Sequence, residues 1–163
     1  MNITLLIIGQ IDRVIQALLC MLMALLVVDV SWQVATRFIL PEPSSYTEEI
    51  ARFLLIWIGL IGAAHAYRSK MHLGIDAFTA KLLGTPKAVV TLFIHFICIT
   101  FAVSTLIVGG LNLALLTLEL NQVSASLGMR MGLVYLCLPL SGLLFVLYTV
   151  EMIIKDFSHI NKA

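Results

Sequence analysis

The chain has 163 residues, of which 61% are hydrophobic and 12% are charged, and its formal net charge is +1. A soluble domain carries roughly a quarter of its residues as charged side chains, so this composition excludes an ordinary water-soluble protein and predicts one membrane domain over 1–163. The near-zero net charge excludes a basic surface for nucleic acid. The three cysteines, Cys20, Cys98 and Cys137, lie in apolar runs, which is typical of small buried hydrophobes rather than of disulfides or a metal site.

Four apolar runs are long enough to cross a bilayer as helices, since about 20 residues at 1.5 Å each cover its hydrocarbon core. They lie near 12–40, 46–67, 87–116 and 131–154. Because a backbone in lipid must satisfy its own hydrogen bonds, the runs predict an all-α integral membrane protein with four transmembrane helices. Apolar residues also recur at helical spacing over approximately 71–83, which predicts an amphipathic helix in the cytoplasmic interface between helices two and three.

The basic residues are distributed unevenly between the two sides of the predicted bundle. Seven fall on the side of the termini and the second loop, and three fall on the other side. Cytoplasmic loops carry the excess of Lys and Arg, so both termini are predicted to lie in the cytoplasm. The seven are Arg13, Arg68, Lys70, Lys81, Lys87, Lys155 and Lys162, and the three are Arg37, Arg52 and Arg130.

The outer half of the first helix carries one polar stripe at helical spacing. It contains Asp29, Gln33 and Arg37, with Trp32 and Thr36 beside them. Charged side chains inside a membrane are costly and face protein or water. Two interpretations stay open: a path for protons or ions, or a hydrogen-bonded seam in which Arg37 meets the glutamates that begin the second helix.

The second helix begins with Glu48, Glu49 and Arg52, where the acids precede the base by three and four residues. This order favours ion pairing within the helix and suits its dipole. It indicates a self-neutralised helix start at the outer interface. A further interpretation is that Arg52 or Glu49 also contacts a partner or a phospholipid headgroup.

A strip of small residues follows in the middle of the same helix, comprising Gly59, Gly62, Ala63 and Ala66. Such strips let two helices approach closely in lipid. The strip predicts close packing against another helix of this chain or against a second protein.

Three segments of the sequence resemble a known family. The segment EEIARFLLIWIGLIGAAHAYRSKMHLGID, residues 48–76, is similar to the signature region of the small membrane subunit of tripartite ATP-independent periplasmic (TRAP) transporters. WQVATRF in the first helix and SASLGMRMGLVYLCLPLSGLL entering the fourth agree with it. The family's more common Ser-Pro-Ala-Leu-Gly is Ser-Ala-Ser-Leu-Gly here, so a rigid proline is missing from the third loop. Trp57 is part of the matching segment, and we predict that it packs against a partner or another helix together with the small-residue strip.

The resemblance implies a role without catalysis, metal, cofactor or a substrate site in this chain. In the family, the small subunit is a scaffold for a large membrane subunit that carries substrate and sodium and moves as an elevator. A periplasmic binding protein delivers an organic acid, such as a sialic acid or a C4-dicarboxylate. Side by side, the first and third loops would form a periplasmic docking rim that includes Glu42, Glu119 and Arg130, and the binding protein is expected to touch it.

Two alternatives come from other functional classes. One is a small dimeric proton-coupled exporter that uses Asp29 as its proton carrier. The other is a haem- or quinone-binding membrane anchor that uses His65 and His95. The polar stripe around Asp29 leads outward instead of into an isolated cavity, and nothing else in the sequence calls for haem.

Overall fold

A computed structural model describes residues 3–39, 45–69 and 85–160 of the chain, and these residues are almost entirely helical. The predicted interfacial helix at 71–83 and the predicted rim residue Glu42 lie outside these ranges. The helices are α1 (Ile3–Ile39), α2 (Ser45–Arg68), α3 (Thr85–Phe101), a π-helical segment (Ala102–Gly109), α4 (Gly110–Glu119), α5 (Met131–Tyr135) and α6 (Cys137–Ile160).

Four stretches of these helices are long and apolar enough to cross a membrane. They are Ile8–Ile39, Ser45–Arg68, Val90–Glu119 and Met131–Ile154. The third combines the end of α3 with the π segment and α4, and the fourth combines α5 with α6. The prediction of an all-α protein with four transmembrane helices is therefore confirmed for the part of the chain that the structure describes.

The second span is the central element of the arrangement. It packs against α1 on one side and against α6 on another, and the third span packs in turn against α6. Ala64 of α2 and Cys137 and Tyr148 of the fourth span are completely buried between these helices. By contrast, α1 packs mainly on α2, so most of its circumference is exposed.

Glycines allow the third and fourth spans to approach most closely. A methyl group added at Gly110 would lie 2.6 Å from Cβ of Leu138, and one added at Gly142 would lie 2.9 Å from Cβ of Leu106. Gly142 faces the π segment, and Gly110 faces the region of Pro139. A proline removes a backbone donor, and a π turn widens the helix, so both stretches are irregular. Glycine at 110 and 142 lets the π-helical region and the region of Pro139 pack directly against each other.

The loop between α4 and α5 is held by its own backbone. Val123 and Arg130 form an isolated antiparallel bridge, and the amide of Ser124 donates to the carbonyl of Met129 across 2.9 Å. Gly128 has φ of +63°, a left-handed conformation that a side chain disfavours. The Ser124 hydroxyl accepts from the Met129 amide at 3.3 Å. The third loop is therefore a compact turn.

Candidate functional site

Charged and polar side chains from three helices meet at the end of the bundle that holds the start of α1 and the end of α2. We call this group the terminal-side cluster. Its members are Asp12 and Gln16 from α1, His65 and Arg68 from α2, and Tyr148 and Glu151 from α6.

Arg68 is the centre of the terminal-side cluster. Its Nε and Nη2 donate to the two carboxylate oxygens of Glu151 at 2.8 and 3.2 Å, and its Nη1 pairs with Asp12. The Glu151 carboxylate is almost completely buried, with a side-chain exposure of 2%. The guanidinium also lies over the Tyr148 ring, 5.4 Å from its centroid. A two-pronged arginine contact fixes both distance and orientation, so Arg68 sets the register of α2 against α1 and α6.

Asp12 accepts further hydrogen bonds that fix its position. Gln16 donates to its Oδ2 at 3.1 Å, and the Tyr148 hydroxyl lies 3.4 Å from its Oδ1. Nδ1 of His65 lies 2.9 Å from Oδ1. Because an ionised carboxylate only accepts hydrogen bonds, this contact is a hydrogen bond in the form of His65 that carries a proton on Nδ1. Buried charges are stable only when paired and hydrogen-bonded, and both conditions hold here.

His95, on the third span, makes a separate contact one residue from Arg68. Its Nδ1 lies 2.8 Å from the hydroxyl of Tyr67, and both side chains are buried. The Tyr67 ring also packs against Phe145 with 5.6 Å between centroids. Tyr67 therefore joins α2 to the third and fourth spans at the same depth as the terminal-side cluster. One ring nitrogen of each candidate haem histidine, His65 and His95, thus has a partner within the chain.

The opposite end of α2 is joined to the third loop through Glu49. Its carboxylate accepts the backbone N–H groups of Ala125 at 2.9 Å, Ser126 at 3.1 Å and Leu127 at 3.0 Å. We call this contact the loop-side lock. Three successive N–H groups directed at one anion form a concave anion site, here occupied by a side chain of the same protein. The lock orders the loop against the first turns of α2.

The predicted seam residues lie in different settings. Arg52 donates to Glu48 across 2.9 Å, and both side chains are about two-thirds exposed. Glu49 contacts the third loop, whereas Arg37 is exposed at the end of α1. Oδ2 of Asp29 is buried without a hydrogen-bond partner among the described residues. The structure thus divides the predicted seam into an exposed ion pair, the loop-side lock and an unpaired acid.

The predicted small-residue strip has open space beside it. A methyl group at Gly59 would meet nothing within 4 Å, and one at Gly62 would make ordinary contact with Leu19 at 3.9 Å. Ala63, Ala66 and Trp57 are all half-buried. Within the described chain, close glycine packing lies between the third and fourth spans instead. Packing of the strip against a partner stays a prediction.

The terminal-side cluster was not predicted from the sequence. Glu151 bonds to Arg68, 83 positions away along the chain, and helical spacing within α6 gives no sign of that contact. A signal was available, because Asp12, Arg68 and Glu151 all stand near helix ends on the same side of the bundle. Opposite charges at one membrane depth attract each other, so this topology favours pairing among them without specifying which of them meet. Of the predicted rim residues, Glu119 and Arg130 are both exposed at the ends of the third loop.

Comparison with known proteins agrees with this architecture. Residues 26–159 match the family described as "Tripartite ATP-independent periplasmic transporters, DctQ component". The chain is 30% identical over 132 residues to the sialic acid TRAP transporter small permease protein SiaQ of Vibrio cholerae. The aligned residues make up 81% of this chain and 75% of that protein. It is 26% identical over 156 residues to a Haemophilus influenzae protein named as a TRAP transporter small permease protein, covering 94% and 93% of the two chains.

The matched region includes the end of α1, all of α2 and the described third and fourth spans. It therefore contains Arg68, Glu49 and Glu151, which join the helices at both ends of α2. Four apolar helices in a family of transporter components indicate a multi-pass inner-membrane protein that is not an enzyme. The chain belongs to the DctQ family and is a small permease subunit of a TRAP transporter.

Proposed function

We propose that this chain is the fixed scaffold subunit of a sodium-coupled transporter that imports a sialic acid or a related organic acid. The observation that carries the proposal is the bracing of α2 at both ends. Arg68 ties it to α1 and α6 at one end, and Glu49 ties it to the third loop at the other. Helices joined by buried ion pairs move as one body, which suits a stationary support for a moving subunit.

The lateral surface supplies the second part of the proposal. Large apolar side chains are exposed along α1 and the third span, among them Val28, Phe38, Phe93 and Phe96. In a membrane these faces contact lipid tails or another membrane protein. We assign part of this surface to the large membrane subunit that the resemblance implies. The substrate class rests on the named activity of the Vibrio cholerae relative.

Reconstitution tests the scaffold role. Liposomes that hold this chain, the large subunit and the loaded binding protein should import labelled N-acetylneuraminic acid when sodium is higher outside. Liposomes with this chain alone should import none, and omission of this chain should abolish import by the other two. Succinate, a C4-dicarboxylate, is the matched substrate control.

The result separates the parts of the proposal. Uptake by this chain alone would contradict the scaffold role and favour the exporter that uses Asp29. Import that persists without a sodium gradient would contradict only the coupling, and import of succinate in place of the sialic acid would change only the substrate class.

We also propose that the third loop faces the periplasm and contacts the binding protein. The support is the basic asymmetry of the sequence together with the loop-side lock, which holds a defined surface ready for contact. Pre-ordering a loop lowers the entropy that binding would otherwise cost. Glu119 and Arg130 flank this loop, and charges at such a rim steer encounter.

One labelling experiment tests orientation and docking together. A cysteine at the exposed position of Ser126 (S126C) should react with an impermeant maleimide from the periplasmic side. The matched variant at exposed Ser69 (S69C) should react only from the cytoplasmic side. Saturating loaded binding protein should slow labelling of S126C in the assembled transporter and leave S69C unchanged. Reversed sidedness would refute the orientation, and an unchanged rate at S126C would refute docking on this loop.

A further inference from the structure

Among the residues that the structure describes, Asp29 is the acid with a buried carboxyl oxygen that no other group pairs with. Its Oδ2 is sealed from solvent and has no hydrogen-bond partner among the described residues. It lies within the first span, about 25 Å along the helix from Asp12 by the rise of 1.5 Å per residue. A carboxylate in such a position is costly when it is left without a hydrogen-bond donor or a counter-charge. A donor from outside the described chain would remove that cost.

The surroundings of Asp29 define where such a donor must enter. Together with Leu22, Leu26 and Thr36, Asp29 lies on the less exposed stripe of α1, the stripe that packs on α2. Gln33, one turn after Asp29, is half-buried on the same stripe, whereas Val28 on the neighbouring face is 67% exposed. The carboxyl group therefore lies at the border between the α1–α2 contact and the open apolar face of α1.

The helix register identifies the cation nearest in depth. Asp12 meets Arg68, and Leu19 lies beside Gly62, so α1 and α2 run antiparallel with Asp29 level with the turn that contains Arg52. The guanidinium of Arg52 donates to Glu48 instead, and its side chain is about two-thirds exposed. The positive charge of Arg52 is thus already neutralised by Glu48 of the same helix.

Lipid tails offer no hydrogen-bond donor, and the amide of Gln33, one turn away on the same stripe, does not bond to Oδ2 of Asp29. A polar side chain of a neighbouring membrane helix would supply the donor. We propose that Asp29 is a recognition site for an N–H or O–H donor side chain on a transmembrane helix of the transporter's large subunit. This inference rests on the proposed scaffold role and adds the contact point. The partner helix lies along the open face of α1, where apolar side chains flank the acid, and its donor reaches the carboxyl group at the edge of α2.

The test combines carboxyl labelling with assembly. A membrane-permeant carbodiimide, which reacts with carboxyl groups in apolar surroundings, should modify Asp29 of the wild-type chain alone in phospholipid vesicles. In the assembled complex in the same lipids, mass spectrometry should show Asp29 protected. Glu151 is the internal control, because it is paired within the chain in both states.

Variants supply the second readout. D29L should lower the amount of large subunit recovered with this chain by roughly threefold to tenfold, the range of interhelical hydrogen bonds in membranes. D29N, which keeps a carbonyl acceptor, should lose less. The matched control S31A removes a hydroxyl that donates to the Val27 carbonyl of its own helix and should assemble normally.

Every outcome decides the inference. Equal labelling of Asp29 with and without the large subunit overturns it, even if the proteins co-purify and the scaffold role stands. Protection in the chain alone that is lost in R52Q overturns it too, because the donor would then be Arg52. Failure of the wild-type chain to bind the large subunit overturns both the scaffold role and this inference.

Discussion

Replacing Arg68 with glutamine is expected to destabilise the folded chain by about 3–5 kcal/mol, the cost of breaking a buried ion pair by removing one partner. The variant would leave two buried carboxylates, Asp12 and Glu151, without the cation that lies between them. The apparent melting temperature in detergent should fall by about 10 °C for a chain of this size. Thermal unfolding followed by size-exclusion fluorescence measures the shift.

Arg52 provides the matched control, because it is an arginine of the same helix with an acidic partner four residues away. Its pair is largely exposed, so R52Q should cost only about 0.3–0.5 kcal/mol. Removing the acid together with the base should recover part of the loss, so R68M combined with E151M should melt above R68M alone. Equal shifts for R68Q and R52Q would refute the view that the terminal-side cluster holds the three helices together.

Adding a methyl group at Gly110 is the second change with a large expected effect. In G110A the new Cβ would lie 2.6 Å from Cβ of Leu138 and 3.0 Å from Cδ of Pro139, neither of which can move without its backbone. Overpacking of this kind costs about 1–3 kcal/mol. The expected result is a melting temperature lowered by several degrees, with less protein recovered in monodisperse form.

Gly59 is the matched control for this prediction. It is also a helical glycine in a membrane span, but a methyl group there would meet nothing within 4 Å. Because alanine is favoured over glycine in a helix, G59A should leave the isolated chain unchanged or slightly more stable. Loss of stability in G59A equal to that in G110A would contradict the view that close approach of the third and fourth spans governs the effect, because helix propensity favours alanine at both positions. If G59A lowers assembly with the large subunit but leaves the stability of the isolated chain unchanged, the predicted strip faces that partner.

These contrasts show where prediction from the sequence succeeds and where it stops. The four helices were predicted correctly, since long apolar runs leave a chain in lipid few other ways to satisfy its backbone. The local pair of Glu48 and Arg52 was also readable, because residues four apart on a helix are neighbours whatever else surrounds them. The small-residue strip of α2 stays a prediction of close packing against a partner, whereas the close glycine contacts at Gly110 and Gly142 lie between the third and fourth spans of the described chain.

Composition and periodicity therefore determined the class of protein and its four spans, since hydropathy and local spacing act within one segment of chain. The resemblance carried by residues 48–76 indicated the family. Tertiary structure alone decided which charges meet. The contacts of Arg68 with Asp12 and Glu151, and of Glu49 with the backbone at 125–127, join residues 56 to 83 positions apart. Such contacts depend on the rotation and axial shift of each helix against its neighbours. One residue of shift turns a side chain by about 100° around its helix, so no local pattern in the sequence specifies them.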